Sequence, residues 1–411
     1  MKIAFVIYNW AESKGGVERY AYNLANYLSE EGDEIHVFCH RVFEQPKSER
    51  VIVHIVPTFP FYAPLKYLFF ARNVVRMLND QEFDVVQHFG RTYYHSPRLT
   101  KPISQVYRIG YGCHWEYLKY KHPSMNNIFG RIIQYLNPRT QIVMYLEKKS
   151  LSESVLSAVS QEDQSASIVN RKSTHKKFIC NSMRGKEEIQ RYYHIADENI
   201  RVIYNAVNLE RFNTGNREKY YSKTRNDLGL KESDIVLLFV GNNFELKGLR
   251  RSIESFALVS ADKRFNIKLL VVGSGNAAKY RTIARKYNIE NNILFVGLQS
   301  QIEHYYAASD IFLFLPLYEP SSNVCLEAMA SGLPVITTRI NGASEIMSDS
   351  IDSFVIPRPS DTGLIAEKIA FLLDPVWRKN MSRAAVLTAS KYSFENNFRP
   401  VKEIYKEMAQ R

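Results

Sequence analysis

The chain has 411 residues, a net charge of +12, 45 % apolar residues and four cysteines. That length and apolar share support two or three packed domains and exclude a disordered or low-complexity chain. Cys39, Cys113, Cys180 and Cys325 have neither metal-ligand spacing nor a disulfide framework, which suits a reducing cytosol. No zinc-finger or RNA-binding signature accompanies the positive charge. Nucleic acid is therefore set aside in favour of an anionic membrane or phosphorylated substrates.

Residues 2–8 read as a first strand; the apolar run is too short for a secretory signal. A polar loop ends in Gly15-Gly16, and 17–31 carries Val17, Tyr20, Leu24 and Leu28 on one helical stripe. Gly32 stops it, and 34–39 is the second strand. The glycine pair is either a plain tight turn or a place where backbone approaches a ligand, which only glycine permits. Stretches 51–56, 85–89 and 104–109 read as further strands, with a helix from Ala63 to Asn79 between them. His88 ends a strand on the side where α/β sheets bind ligands, and His114 follows in Arg108-Ile-Gly-Tyr-Gly-Cys-His-Trp115. An isolated histidine in such places is more often packed than catalytic, and both readings stand.

Residues 101–150 hold eight Lys or Arg against two acids, half the excess charge of the chain, interleaved with Trp115, Tyr117, Tyr120, Phe129, Tyr135 and Tyr145. With the apolar, basic stretch 60–79 this suits an anionic membrane surface. A solvated basic face over buried aromatics is the alternative.

A strand at 178–181, a helix capped by Ser182 and a strand at 200–204 follow. Residues 213–232 are polar and charged and read as linker and surface. Residues 234–241 form an apolar strand, 242–248 a loop and 249–260 a helix. Lys247-Gly248 thus sets an ammonium beside a helix N-terminus, which suits a diphosphate. After a strand at 268–273, Gly273-x-Gly275-x-x-Ala278 formally resembles a dinucleotide fingerprint. The next strand, 293–296, ends without the acid that a ribose would need, so NAD is rejected.

The most informative stretch is 311–338, IFLFLPLYEPSSNVCLEAMASGLPVITT. Ile311–Leu315 is apolar throughout, as in a strand buried on both faces of a parallel sheet. Pro316 and Pro320 end the ladder, Ser321 to Asn323 are cap types, and 324–331 is helical until Gly332 and Pro334 stop it. The free amides of Ser322, Asn323 and Val324 at that helix start suit a phosphate. Glu319 and Glu327 flank it, and carboxylates are good acceptors for sugar and ribose hydroxyls.

This stretch resembles the Glu-x7-Glu motif of the retaining glycosyltransferase family 4, and Leu326-Glu-Ala-Met-Ala-Ser-Gly-Leu-Pro-Val-Ile336 matches its wording nearly residue for residue. Similar landmarks run from Gly15 to the C-terminal helix, most like those of lipopolysaccharide-core glucosyltransferases. The resemblance implies an α/β GT-B fold: two Rossmann-like doubly wound domains facing across a cleft. Residues 1–207 would bind the acceptor, 208–391 the nucleotide-sugar, and 392–411 would pack back on the first domain. Gly15 and Gly16 would approach the donor phosphate and transferred sugar. Lys247 and the 322–324 amides would grip the diphosphate, Gly275 would lie in the donor-side loop and Leu298 against the base. Glu319 would hold the sugar and Glu327 the ribose, with Glu319, Lys247 and His114 as the catalytic set. The chain departs from the family at Asn242, where an Arg is usual, at Ala206, where Gly is usual, and at Tyr111, where core-sugar transferases carry Asp.

No Asp-x-Asp occurs, so neither a metal nor another cofactor is expected. The expected activity is retaining transfer of a hexose, UDP-glucose being the default donor, to a lipid-linked or lipopolysaccharide-core saccharide. The expected location is cytoplasmic, peripheral on the cytosolic face of the inner membrane. A nucleotide-sugar epimerase of the same fold and a non-catalytic nucleotide-sugar-binding subunit are the alternatives.

Overall fold

The structure is a computed structural model of the chain and describes all residues except 60–62, 91–103, 123–124, 126, 152–174, 263 and 411. Parts of the two stretches expected to meet a membrane, 60–62, 101–103, 123–124 and 126, therefore lie outside the described residues, Lys101 among them. The chain divides into two compact units, Met1–Ile203 with Phe398–Arg411, and Tyr204–Asn397.

The first unit is built on seven parallel strands: β1 (Lys2–Val6), β3 (Glu34–Cys39), β5 (Val51–Ile55), β6 (Val85–Phe89), β7 (Ser104–Ile109), β8 (Lys176–Cys180) and β9 (Ile200–Val202). Two-residue strands β2 (Asn9–Trp10) and β4 (Arg41–Val42) pair separately. The sheet order is β5-β3-β1-β6-β7-β8-β9. The chain builds outward from β1 on one side, then returns to β1 and builds the other way. Strand β1 is covered on both faces, with Ile3 to Val6 fully buried. Such burial stabilises by about 1.5–3 kcal/mol per large aliphatic side chain.

The helix Gly16–Glu30 buries Tyr20, Leu24 and Leu28, while Val17 is half-buried. The C-terminal helix Phe394–Ala409 contributes Phe398, Val401 and Tyr405 to this unit's core. Its Tyr405 hydroxyl donates to Gln87 Oε1 at 2.7 Å, and Lys402 pairs with Asp33 at 3.0 Å.

The second unit has six parallel strands: β10 (Ile235–Val240), β11 (Ile267–Val272), β12 (Ile293–Gly297), β13 (Ile311–Phe314), β14 (Val335–Thr338) and β15 (Ser353–Ile356). Their order, β12-β11-β10-β13-β14-β15, is that of a doubly wound dinucleotide-binding sheet, and the first sheet follows the same plan. All its pairings are parallel, as apolar runs without polar alternation predict.

One stretch differs from expectation. Residues 213–232 are not a linker: Asn216–Asp227 is a helix. Its anchor is a buried arginine. Arg225 Nε donates to the Ala308 carbonyl at 2.9 Å, and Nη2 meets Asp310 Oδ2 at 2.7 Å. The loop expected after β11 is present and holds Gly275; it leads into the helix Ala277–Lys286, whose first turn is capped by the Asn276 side chain, an acceptor for Lys279 N–H at 3.1 Å. All four cysteines are free and buried. No described helix is long and apolar enough to cross a membrane.

Candidate functional site

The strand order of the second unit's sheet reverses between β10 and β13, which are parallel, hydrogen-bonded neighbours although two strands separate them in sequence. The loops leaving their carboxyl ends part there, and ligands of open α/β sheets bind at such a point. One loop carries Lys247 and the other Glu319.

Glycines bring the backbones close enough to hold these loops together. A Cβ on Gly248, at φ +81°, would lie 1.7 Å from the Leu315 carbonyl oxygen. One on Gly273, at φ +132°, would lie 2.0 Å from that of Gly241. Leu317 N–H donates to the Leu246 carbonyl at 2.8 Å.

On this frame the Lys247 ammonium donates directly to Glu319 Oε2. The Lys247 side chain keeps 28 % of its exposure and that of Glu319 10 %, so the pair is reached from the lysine side. In this geometry each charge satisfies the other. A diphosphate would compete for the ammonium, and hydroxyls for the carboxylate.

The helix Asn323–Ala330 starts beside them, as its sequence predicts, but its cap differs. The Ser322 hydroxyl makes no cap bond; it accepts from Asn341 Nδ2 at 3.0 Å, and Ser322 N–H donates to Asn341 Oδ1 at 3.3 Å. Asn323 and Val324 supply the first two helical amides. Glu327 is buried in this helix, where the Tyr306 hydroxyl donates to Oε2 at 3.0 Å.

Asn242, the departure from the usual Arg, accepts from both the amide and the hydroxyl of Ser274 at 2.9 Å and so ties the β10 loop to the β11 loop. Gly275 lies on the Phe244 ring, where a Cβ would come within 2.3 Å. Leu298 is 68 % exposed immediately after Gly297, whose φ is +74°. It is an apolar surface of the kind a nucleotide base packs on.

In the first unit, Gly15 is the extended N-cap of its helix, and Gly16 is the first helical residue. A Cβ on Gly15 would meet only the Glu18 carboxylate, the far end of a flexible side chain, and the backbone there is extended, so the protein's own packing does not require glycine at this position. His114 is buried at the start of the helix His114–Lys121. Its N–H donates to both oxygens of Glu147, at 3.1 and 3.2 Å, and Cys113 N–H to Glu188 at 3.1 Å. Two buried carboxylates thus occupy this helix start. No local motif marks them; they arrive from the helices Pro138–Leu151 and Met183–Tyr193. Tyr111, the departure from the usual Asp, lies just before this turn.

His88 is fully buried and stacks on Tyr107, with ring centroids 4.4 Å apart. Burial, aided by the nearby Lys176 charge, pushes its imidazole down to about 3. The unfolded chain, with a histidine near its ordinary value, takes up the proton first as the pH falls. Stability is therefore full above about pH 6.5 and is lost below it, by about 1.4 kcal/mol per pH unit. Between pH 7 and pH 5 the urea midpoint of wild type is expected to fall by an amount equivalent to about 2 kcal/mol more than that of His88→Phe. Equal falls would mean that His88 is not buried in its neutral form.

Two family models match the chain: "Glycosyl transferases group 1" over residues 221–387 and "Glycosyltransferase Family 4" over residues 14–165. A lipopolysaccharide glucosyltransferase, WaaG of Escherichia coli K12, is 31 % identical over 42 % of this chain and 46 % of its own length. The chain spans about half the length of the curated relatives it matches. The crystal structure of WaaG aligns over 98 % of this chain and 99 % of that one, with a TM-score of 0.78 at 20 % identity. Anabaena HepE, solved with UDP and glucose, aligns over 98 % and 99 %, with a TM-score of 0.71 at 16 % identity. At those identities the structural likeness establishes the fold. The two family models lie one in each unit of that fold: the first unit matches the model of glycosyltransferase family 4, the second that of the group 1 glycosyl transferases, and the architecture is GT-B.

Proposed function

We propose that the protein is a retaining, metal-independent glycosyltransferase that moves a hexose from a nucleotide-sugar, UDP-glucose, to a lipid-linked or lipopolysaccharide-core saccharide. The observation that carries this is the Lys247–Glu319 pair at the switch point of the second sheet, beside the start of the helix Asn323–Ala330. Lys247 and the amides of Asn323 and Val324 offset charge building on the leaving diphosphate, and Glu319 accepts from the sugar hydroxyls. Glu327 is assigned to the ribose, Leu298 to the base, Gly275 to the donor-side loop, and Gly15, Gly16 and His114 to the transferred sugar and acceptor. The glucosyltransferase WaaG and the UDP and glucose of the HepE complex support a glucose donor on UDP.

The test is release of nucleoside diphosphate in EDTA, on incubation with UDP-glucose and a core saccharide. Release that needs both substrates supports transfer. Epimerised nucleotide-sugar without transfer makes the protein an isomerase, and binding without turnover makes it a binding subunit.

We further propose that it works at the cytosolic face of the inner membrane. The helix Ile128–Leu136 turns its apolar side chains outward, with Phe129 75 % and Leu136 70 % exposed and Ile128, Ile133 and Tyr135 also exposed. Arg131 lies on it, and Arg139, Lys148 and Lys149 lie on the next helix. An apolar face with basic neighbours fits an anionic bilayer surface, where each basic residue contributes about 1 kcal/mol. Co-sedimentation with phosphatidylglycerol-containing liposomes is expected, weakening with salt and falling sharply in Phe129→Ser/Leu136→Ser. Sedimentation indifferent to lipid charge and to this variant would contradict the assignment.

A further inference from the structure

Asn341 follows β14 and precedes the short helix Gly342–Ile346. In the structure it is fully buried and is the hydrogen-bonding centre of the donor loop. Its Oδ1 accepts from Ala343 N–H at 3.1 Å, capping the short helix Gly342–Ile346, and from Ser322 N–H at 3.3 Å. Its Nδ2 lies 3.0 Å from Ser322 Oγ, 3.0 Å from Thr337 Oγ1 and 3.3 Å from Cys325 Sγ. The backbone completes the clamp: residue 341 bridges residue 319, and Gly342 N–H donates to the Glu319 carbonyl at 2.9 Å.

One side chain and its backbone thus hold both ends of the segment that presents Glu319 and the helix start. A further hold on this segment is Asn205, whose Nδ2 donates to the Ser321 carbonyl at 3.0 Å.

We propose that Asn341 is the positioning residue of the nucleotide-sugar site. It fixes Ser322, so that an arriving diphosphate meets the amides of Asn323 and Val324 rather than that of Ser322, and it sets where the Glu319 carboxylate stands opposite Lys247. The Ser322 hydroxyl and amide are internal fastenings. This rests on the donor-site assignment above. An amide is the side chain suited to the task, because its two N–H donors are shared among the Ser322 and Thr337 hydroxyls and the Cys325 sulfur while its oxygen accepts from two backbone N–H groups, and it carries no charge into a buried place.

Titration calorimetry of the full chain with UDP, GDP and ADP tests it. The variants are Asn341→Ala, Asn341→Ser and Asn216→Ala. Serine keeps an acceptor for the Ala343 cap but does not span to Ser322 and Thr337, so it retains the local fold where alanine does not. Asn216 is a second buried asparagine of the same unit, bonded to the Arg211 carbonyl at 2.6 Å, and serves as the control for general destabilisation.

The expected result is a loss of about tenfold or more in nucleotide affinity for Asn341→Ser, with the KM for acceptor unchanged and Asn216→Ala binding as wild type does. Wild-type affinity in Asn341→Ser overturns the proposal, as does equal weakening in Asn341→Ser and Asn216→Ala. If wild type binds none of the three nucleotides, the donor-site assignment itself fails, a result distinct from the other two.

Discussion

Glu319→Gln is expected to lower kcat/KM by about 10²–10³-fold while leaving the fold intact. Glutamine has the same shape, and the backbone contact from Gly342 N–H to the 319 carbonyl does not depend on the side chain. What disappears is the charge. A carboxylate accepts hydroxyl hydrogen bonds about twice as strongly as a neutral amide does, and it counters positive charge growing on the sugar ring. Lys247→Ala is expected to cost a similar factor by removing the ammonium from the leaving diphosphate. Because each group is the other's partner in the free protein, the double variant is expected to lose less than the product of the two single losses. Steady-state kinetics beside thermal melts check this. Normal turnover in either variant would remove that residue from the site.

Gly248→Ala is expected to destabilise the second unit by about 2–4 kcal/mol and to weaken nucleotide binding with it. Its positive φ alone costs an alanine about 1 kcal/mol. The larger effect is steric: the new methyl would overlap the Leu315 carbonyl oxygen, which belongs to the backbone leaving β13 and has no rotamer to escape into. Relief requires the β10 and β13 loops to part, which carries Lys247 away from Glu319. Gly32→Ala is the useful contrast. Gly32 also has a positive φ, +91°, but nothing stands within 4 Å of its Cβ position, so only the backbone cost of about 1 kcal/mol is expected. Similar losses in the two variants, measured by urea unfolding, would mean that the close approach at Leu315 is unimportant.

The same contrast between local and tertiary causes decides what could be read from the sequence. The strands 34–39 and 104–109 were legible to the residue, and the runs Ile235–Val240 and Ile311–Phe314 to within one residue, because strands buried on both faces of a parallel sheet are continuous apolar runs. The helix Asn216–Asp227 was not legible. Its sequence, NREKYYSKTRND, has no apolar stripe, and its anchor is a buried arginine bonded to carbonyls that arrive from distant turns. Strand β15 was missed because its apolar run is only Phe354-Val355-Ile356, opened by Ser353 and preceded by a polar stretch.

At the site, Lys247-Gly248 and the 311–338 grammar each pointed to a ligand separately. Their meeting across a separation of 72 residues follows from the order of the strands, which composition does not express. Ser322 was legible as a cap type, yet its hydroxyl serves Asn341, and Glu147 and Glu188 reach the His114 turn from two other helices. In each case the deciding partner lies far away in sequence.

The donor-site assignment is tested most directly by titrating UDP into wild type and into Lys247→Ala, with melting temperatures measured alongside. Saturable binding by wild type, weakened about tenfold or more by the loss of one ammonium in a variant that melts as wild type does, is the predicted result. Binding of equal strength by both proteins would contradict the placement of the nucleotide diphosphate between the β10 and β13 loops.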